Sequence, residues 1–319
     1  MANIFYQMSS SIDKSFGDDG GISKRAIKFD KTQDLKDSVY SYNEKTRLLD
    51  TAHDFADFIK ENYQDIKYVR QIDQPIVKEY LESKHRFNDG NCNSNTVNTY
   101  SQSLDKISHL ININFGINTD WQVKKNELPQ DGEKLRSLRM QDEHWRDAHD
   151  NMKDGTRGKL GVELGREFGL RESEIIKLQI RDFDIEHGVI HIVDSKGGRS
   201  RDIPLSEEQY IKIIEKSKEI GVKVENPMAK VVDLRLGSVS NLLSENLIKT
   251  GHPEYAAHKT SCHSVRKMWA QEQYEQKLQS YLDEGIPFEK AEKQALGETS
   301  QLLGHGYQRT IAEYVERIK

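Results

Sequence analysis

The sequence predicts a mainly α-helical protein with one small three-stranded β-sheet (α+β), organised as two domains. Three observations lead there. Apolar residues recur at spacings of three and four over most of the 319 residues, the period of an amphipathic helix. Only between 181 and 205 do short extended runs separated by tight turns replace that period. Between 118 and 139 a stretch of scattered charge carrying Pro129 and Gly132 interrupts the pattern, as a linker does.

Residues 1–38 are polar, with GDDGG at 17–21, and read as a largely irregular leader. Residues 39–118 carry three helical stripes: Leu48, Leu49, Ala52, Phe55, Phe58, Ile59; then Ile76, Val77, Tyr80, Leu81; then Val97, Tyr100, Leu104, Ile107, Leu110, Ile111. The run NCNSNT before the third stripe offers good N-cap residues. Residues 119–139 form the linker, with a slight basic excess, and the acidic start MQDEHW opens a second domain over 140–319. There DFDI, VIHIVDSK and RDIPL read as three strands. Segments 239–251, 267–285 and 287–306 return to the helical period. No internal repeat is evident.

Composition excludes several classes. With 35% hydrophobic and 31% charged residues the chain affords a core under a heavily charged surface. No apolar run of about 18 residues exists, so no transmembrane helix is expected. The start MANIFYQMSSSIDKSF lacks the basic and long apolar regions of a secretory signal, which makes a cytoplasmic location the expectation. Two cysteines, Cys92 and Cys262, are too few for a disulfide framework or a four-cysteine zinc site. The eleven histidines form no HExxH. A net charge of −5 argues weakly against nucleic acid, although the distribution of charge matters more than its sum.

Four short segments could carry chemistry, each with a plainer alternative. His263 and Arg266 stand three apart on a predicted helix and share a face; a surface pair is the plainer reading. Arg171 in FGLRESEIIKL follows a glycine and opens an apolar stripe, so it sits at a helix start suited to an anion; a solvated arginine is the alternative. Lys196 in SKGGRSR lies on a glycine-rich hairpin with two arginines, a fit for a phosphate backbone or an ordinary charged tip. Tyr314, nine residues after His305, shares a stripe with Ile311, Val315 and Ile318, and a packed tyrosine would suffice.

Taken in order, these segments resemble the tyrosine recombinase (phage integrase) family. FGLRESEIIKL is similar to its "TGLR-x-SEL-x-x-L" box and SKGGRSRDIPL to its lysine hairpin "GKG-x-K-x-R-x-x-PL". CHSVRKMWA resembles "HDLRH-x-FA", and LLGHGYQRTIAEYV resembles "LLGHS-x-x-x-TT-x-x-Y". The resemblance covers about 140–319 and extends less specifically to the helices before it. It implies a two-domain clamp: a helical SAM-like core-binding domain at 39–118 and a catalytic domain at 140–319. It also implies a site-specific recombinase or integrase of a mobile element, phage or plasmid, acting on double-stranded DNA through a 3′-phosphotyrosyl intermediate.

On that resemblance Arg171 and Arg266 clamp the nonbridging phosphate oxygens, since guanidinium forks match phosphate geometry. His263 and His305 add hydrogen bonds, with His263 an acceptor for the tyrosine proton. Lys196 protonates the leaving 5′ oxygen, and Tyr314 is the nucleophile. Glu174 takes a supporting role behind them. Lys124, Lys125, Arg136, Arg199 and Arg201 are expected to line the DNA-facing side. With so many cations, neither metal nor cofactor is expected. The expected assembly is a homotetramer on synapsed DNA, compatible with accessory DNA-bending proteins. Two departures stand out. His263 and His305 are 42 residues apart, longer than is usual, and only five residues follow Tyr314, fewer than the tails that couple family subunits. The alternatives are a type IB topoisomerase-like relaxing enzyme and a catalytically idle DNA-binding regulator.

Overall fold

The computed structural model of the protein describes residues 3–16, 34–86, 94–128, 138–195, 199–257, 261–304 and 308–317. The chain divides into two compact units, Met1–Lys134 and Leu135–Lys319.

The first unit is built from α1 (Ile4–Phe16), α2 (Tyr42–Asn62), α3 (Gln74–Arg86) and α4 (Ser94–Phe115). The leader expected to be irregular is therefore helical over α1. Its Ile4, Met8, Ile12 and Phe16 fall every four residues and are buried, which is one helix face, and α1 packs on α2 and α4. Serines and charges on the other face hide this stripe in composition. Ser41 caps α2, its Oγ accepting from the Glu44 N–H at 3.2 Å. The core also takes in Trp121, Val123 and Leu128, and Trp121 Nε1 donates to the Ile72 carbonyl at 3.1 Å. The helical unit thus includes residues from the stretch expected as linker.

The second unit runs α5 (Asp142–Asp150), α6 (Arg157–Phe168), α7 (Glu172–Ile175), the strands β1 (Phe183–Asp184), β2 (Val189–Ser195) and β3 (Arg199–Pro204), then α8 (Glu207–Glu219), α9 (Ser238–Lys249), α10 (Glu254–Ala257), α11 (Ser261–Asp283) and α12 (Phe288–Leu302). The three strands form one antiparallel sheet in the order β1-β2-β3. Ile190 faces Ile203 and Ile192 faces Arg201 across the β2–β3 ladder. Ile190, Ile192 and Ile203 are buried, whereas Val193 is 62% exposed. Strict alternation would then turn Ser195 outward. A register irregularity between Ile192 and Ser195 resets the alternation, and Ser195 is buried. This is what a bulge does.

α11 and α12 pack as a helical hairpin, with Tyr274, Leu278, Ala291 and Ala295 buried. Most of the stretch between His263 and His305 is this helix pair. Tyr314 does not lie on an α-helix as the stripe suggested. A 3₁₀ segment, Gln308–Glu313, precedes it, and Tyr314 follows in a turn with its N–H bonded to the Ile311 carbonyl at 2.8 Å. A repeat of three places Ile311 and Tyr314 one above the other, so the apolar anchor survives the change of helix type.

At the end of α6, Gly169 is left-handed (φ 59°), and a Cβ there would overlap the Trp269 ring. Gly169→Ala therefore combines a left-handed penalty with overpacking, and we expect it to lower unfolding free energy by about 2–5 kcal/mol in urea denaturation of the full chain.

Candidate active site

The site is organised around the Glu174 carboxylate, which is 4% exposed. Glu174 is the third residue of α7, and its Oε2 accepts the main-chain N–H of Arg171 at 2.8 Å, closing the helix start. Arg201 from β3 donates a fork to it, Nη1 to Oε1 and Nη2 to Oε2, both at 2.8 Å. Arg171 Nη1 donates to Oε1 at 2.8 Å and to Ser195 Oγ at 3.1 Å. Ser195 Oγ in turn donates to Oε1. Arg266 Nη1 lies 3.8 Å from Oε2. One carboxylate thus faces three guanidiniums, and the surplus positive charge makes the site a host for an anion.

These contacts explain the protonation states. Burial alone would raise the Glu174 pKa. The Arg201 hydrogen bonds and charge, the Arg266 charge and the Ser195 hydroxyl outweigh it and hold the carboxyl well below the usual carboxylate range. Burial and the neighbouring Arg171 and Arg201 push Arg266 down to about 9, with Glu174 opposing. Both groups stay ionised at neutral pH.

The end of α12 holds the arginines from the other side. Arg201 Nε donates to the Leu302 carbonyl at 2.6 Å. Arg171 Nη2 and Arg266 Nη2 converge on the Leu303 carbonyl, at 3.3 and 2.5 Å. Carbonyls at a helix C-terminus lack intrahelical donors and carry partial negative charge, so guanidiniums satisfy them. Gly304, left-handed at φ 65°, turns the chain away; a Cβ there would come within 3.2 Å of Arg201. Arg266, 2% exposed, also donates to the Gly169 carbonyl. Its Nε has no partner among the described residues.

Tyr314 stands beside this cluster. Its ring meets His263 edge-on at 5.0 Å between centroids, and the Arg266 guanidinium lies 5.9 Å from its centre. His263 and Arg266 both project from the first turns of α11. Two turns further on, the buried Gln271 clips the chain just past the tyrosine. Its Oε1 accepts the Glu316 N–H at 2.7 Å and its Nε2 donates to the Glu316 carbonyl at 3.1 Å. A side-chain amide here does what a neighbouring strand would do.

The structure therefore brings together Arg171, Glu174, His263, Arg266 and Tyr314 from three distant segments. Lys196, His305 and Arg136 lie outside the described residues, as does the side chain of Arg199. Arg201, expected as a DNA contact, is corrected: its side chain is 6% exposed and paired with Glu174. Ile203 is inward, so a residue two places earlier on a strand is inward too. Lys124 and Lys125 are exposed at a 3₁₀ turn of the first unit. Sequence reasoning missed Ser195, which only the bulge turns inward, and Gln271, whose partner is backbone.

Residues 139–280 match the phage integrase family, a span that includes Arg171, Glu174, His263 and Arg266 and ends before Tyr314. A shufflon-specific DNA recombinase of Escherichia coli is 44% identical over 43 residues, 14% of this chain and 11% of that protein; the match thus spans about a tenth of that relative. Among solved structures, the XerH site-specific recombinase in a post-cleavage complex with palindromic difH substrate superposes with TM-score 0.62 at 13% identity, covering 99% of this chain and 91% of XerH. A lambda integrase dimer bound to a COC′ core site gives 0.58 at 14%, covering 94% and 81%. The Tn1549 transposon integrase with transposon right end DNA gives 0.56 at 14%, covering 93% and 94%.

Removing the central carboxylate leaves buried guanidiniums unpaired. We expect Glu174→Gln to cost about 3–5 kcal/mol of stability. The carboxyl is depressed in the fold, so its stabilisation is fully present above the ordinary value near 4.5 and is lost as pH falls below it. Chemical denaturation from pH 6 to pH 2 should show a steeper acid-side decline in the wild type than in Glu174→Gln.

Proposed function

We propose that the chain, whose residues 139–280 match the phage integrase family, cuts and rejoins DNA strands at a specific site through a 3′-phosphotyrosyl intermediate. The observation that carries the reading is the convergence of Arg171 and Arg266 on one oxygen acceptor beside Tyr314. Two guanidiniums able to share an oxygen suit the nonbridging oxygens of a phosphodiester.

The reaction is a transesterification. The Tyr314 hydroxyl gives its proton to His263 as its oxygen attacks phosphorus. The P–O bond to the 5′ oxygen breaks, Lys196 protonates that oxygen, and the 3′ phosphate remains on the tyrosine. Arg171, Arg266 and His305 hold the charge that builds on the phosphate. Glu174 and Arg201 do not touch the DNA; they fix where Arg171 and Arg266 point. Rejoining is the reverse with a new 5′ hydroxyl, and the phosphotyrosyl bond conserves the energy, so no ATP enters. The first unit contributes Lys124 and Lys125 to a double-stranded DNA surface, and four copies act on two synapsed sites. A mobile element, phage or plasmid in a bacterial cytoplasm is the setting this chemistry serves.

A duplex nicked opposite a candidate crossover, drawn from the DNA flanking the gene, tests the reading. Wild-type protein should accumulate a covalent adduct that survives denaturing electrophoresis, and Tyr314→Phe should form none while still binding. An adduct of equal yield with Tyr314→Phe would falsify the assignment. The bound state rests on phosphate contacts, so its affinity should fall at least tenfold between about 50 and 200 mM salt; an affinity indifferent to salt overturns the DNA surface.

A further inference from the structure

Away from the arginine cluster, α5 and the segment after α9 bring together four side chains that the recombination chemistry does not use. His144 and Asp147 share one face of α5, three residues apart. His252 follows the end of α9, its N–H bonded to the Leu247 carbonyl at 2.7 Å, and Glu254 opens α10. We propose that His144, His252 and Glu254, completed by Asp147, bind one divalent zinc ion.

The spacing supports it. One ligand atom from each of His144, His252 and Glu254 lies within 4.8 Å of the other two. Zinc bonds of about 2.0–2.1 Å in a tetrahedron set neighbouring donors about 3.3 Å apart. Two donor pairs here straddle that edge: His252 Nε2 to Asp147 Oδ2 at 3.0 Å and His144 Nδ1 to Glu254 Oε1 at 3.7 Å. Asp147 stands outside the mutual cluster of three and approaches it through His252. The two imidazoles are stacked, 3.9 Å between centroids and 19° from parallel. Two cationic rings would repel at that distance, whereas neutral imidazole is the form that ligates metal. Two histidines with two carboxylates also cancel the charge of a divalent ion, and nitrogen with oxygen donors is a set zinc accepts. Tyr255 O–H stands 3.0 Å from His144 Nδ1, near enough to orient that ring until the metal displaces the contact.

Such an ion would fasten α5, the first helix of the second unit, to the segment that leads into α11 and hence to His263 and Arg266. It would act as a clip on the scaffold and take no part in the phosphoryl chemistry.

The test uses the untagged full chain, stripped with chelator and titrated with zinc chloride in a calorimeter. One equivalent should bind, and affinity should weaken as pH drops below about 6.5, where free imidazole protonates. At a hundredfold excess over Kd the melting temperature should rise by roughly 5–10 °C. Cobalt(II) in place of zinc should give the intense visible absorption of a tetrahedral site. His252→Gln and the exposed, milder Glu254→Gln should each abolish or weaken binding at least tenfold while melting like the metal-free wild type. Absence of saturable binding overturns the proposal. So does binding of unchanged affinity in Glu254→Gln and in His144→Gln/His252→Gln, which would put the ion elsewhere.

Discussion

The second unit depends on one buried carboxylate being outnumbered by guanidiniums. Glu174 accepts from Arg201 and Arg171 and sits under Arg266, with Ser195 filling the remaining direction. A buried arginine is tolerable only when its donors are satisfied. The carboxylate alone cannot satisfy three, and the carbonyls at the end of α12 and of Gly169 take further donors, leaving Arg266 Nε without a partner among the described residues. Pairing and helix termination are therefore one structure. The cluster joins α7, β2, β3, α11 and the end of α12, and none of these five could shift without straining a hydrogen bond of the cluster.

That economy has a functional side. An active site for an anionic substrate needs cations held apart from one another and aimed before the substrate arrives, since preorganised charge is what lowers the barrier. Here the aiming is done by groups on which Arg171 and Arg266 rest: a carboxylate on one side and a peptide oxygen on the other. The Leu303 carbonyl holds the two arginines together. It lies two residues before His305 in the sequence, so the groups that hold the arginines and the last box of the proposed site belong to one stretch of chain.

How much of this was legible in the sequence differs by element. Helices whose apolar stripes alternate with charged faces were plain, as were the three strands. α1 was hidden because its four buried apolar residues are diluted by serines. The residues of the four boxes are readable as types, and the structure gathers those it describes. Arg201 was misjudged because a cation in a basic hairpin suggests DNA, although its parity with Ile203 argued for the inside. Ser195 depends on a bulge, which no alternation rule foresees. The terminal tyrosine was placed on an α-helix because a stripe at three and four fits 3₁₀ and α windings alike when it is this short.

Gln271 bears on how this chain can vary. Its amide grips the N–H and carbonyl of residue 316, groups that every residue but proline presents alike. Evolution is thus free to rewrite the side chain at 316 and constrained at 271, some forty-five positions away. A residue beside Tyr314 can drift while a remote helix position is preserved, and a search by sequence proximity to Tyr314 would pass over the side chain that clips the chain just past it.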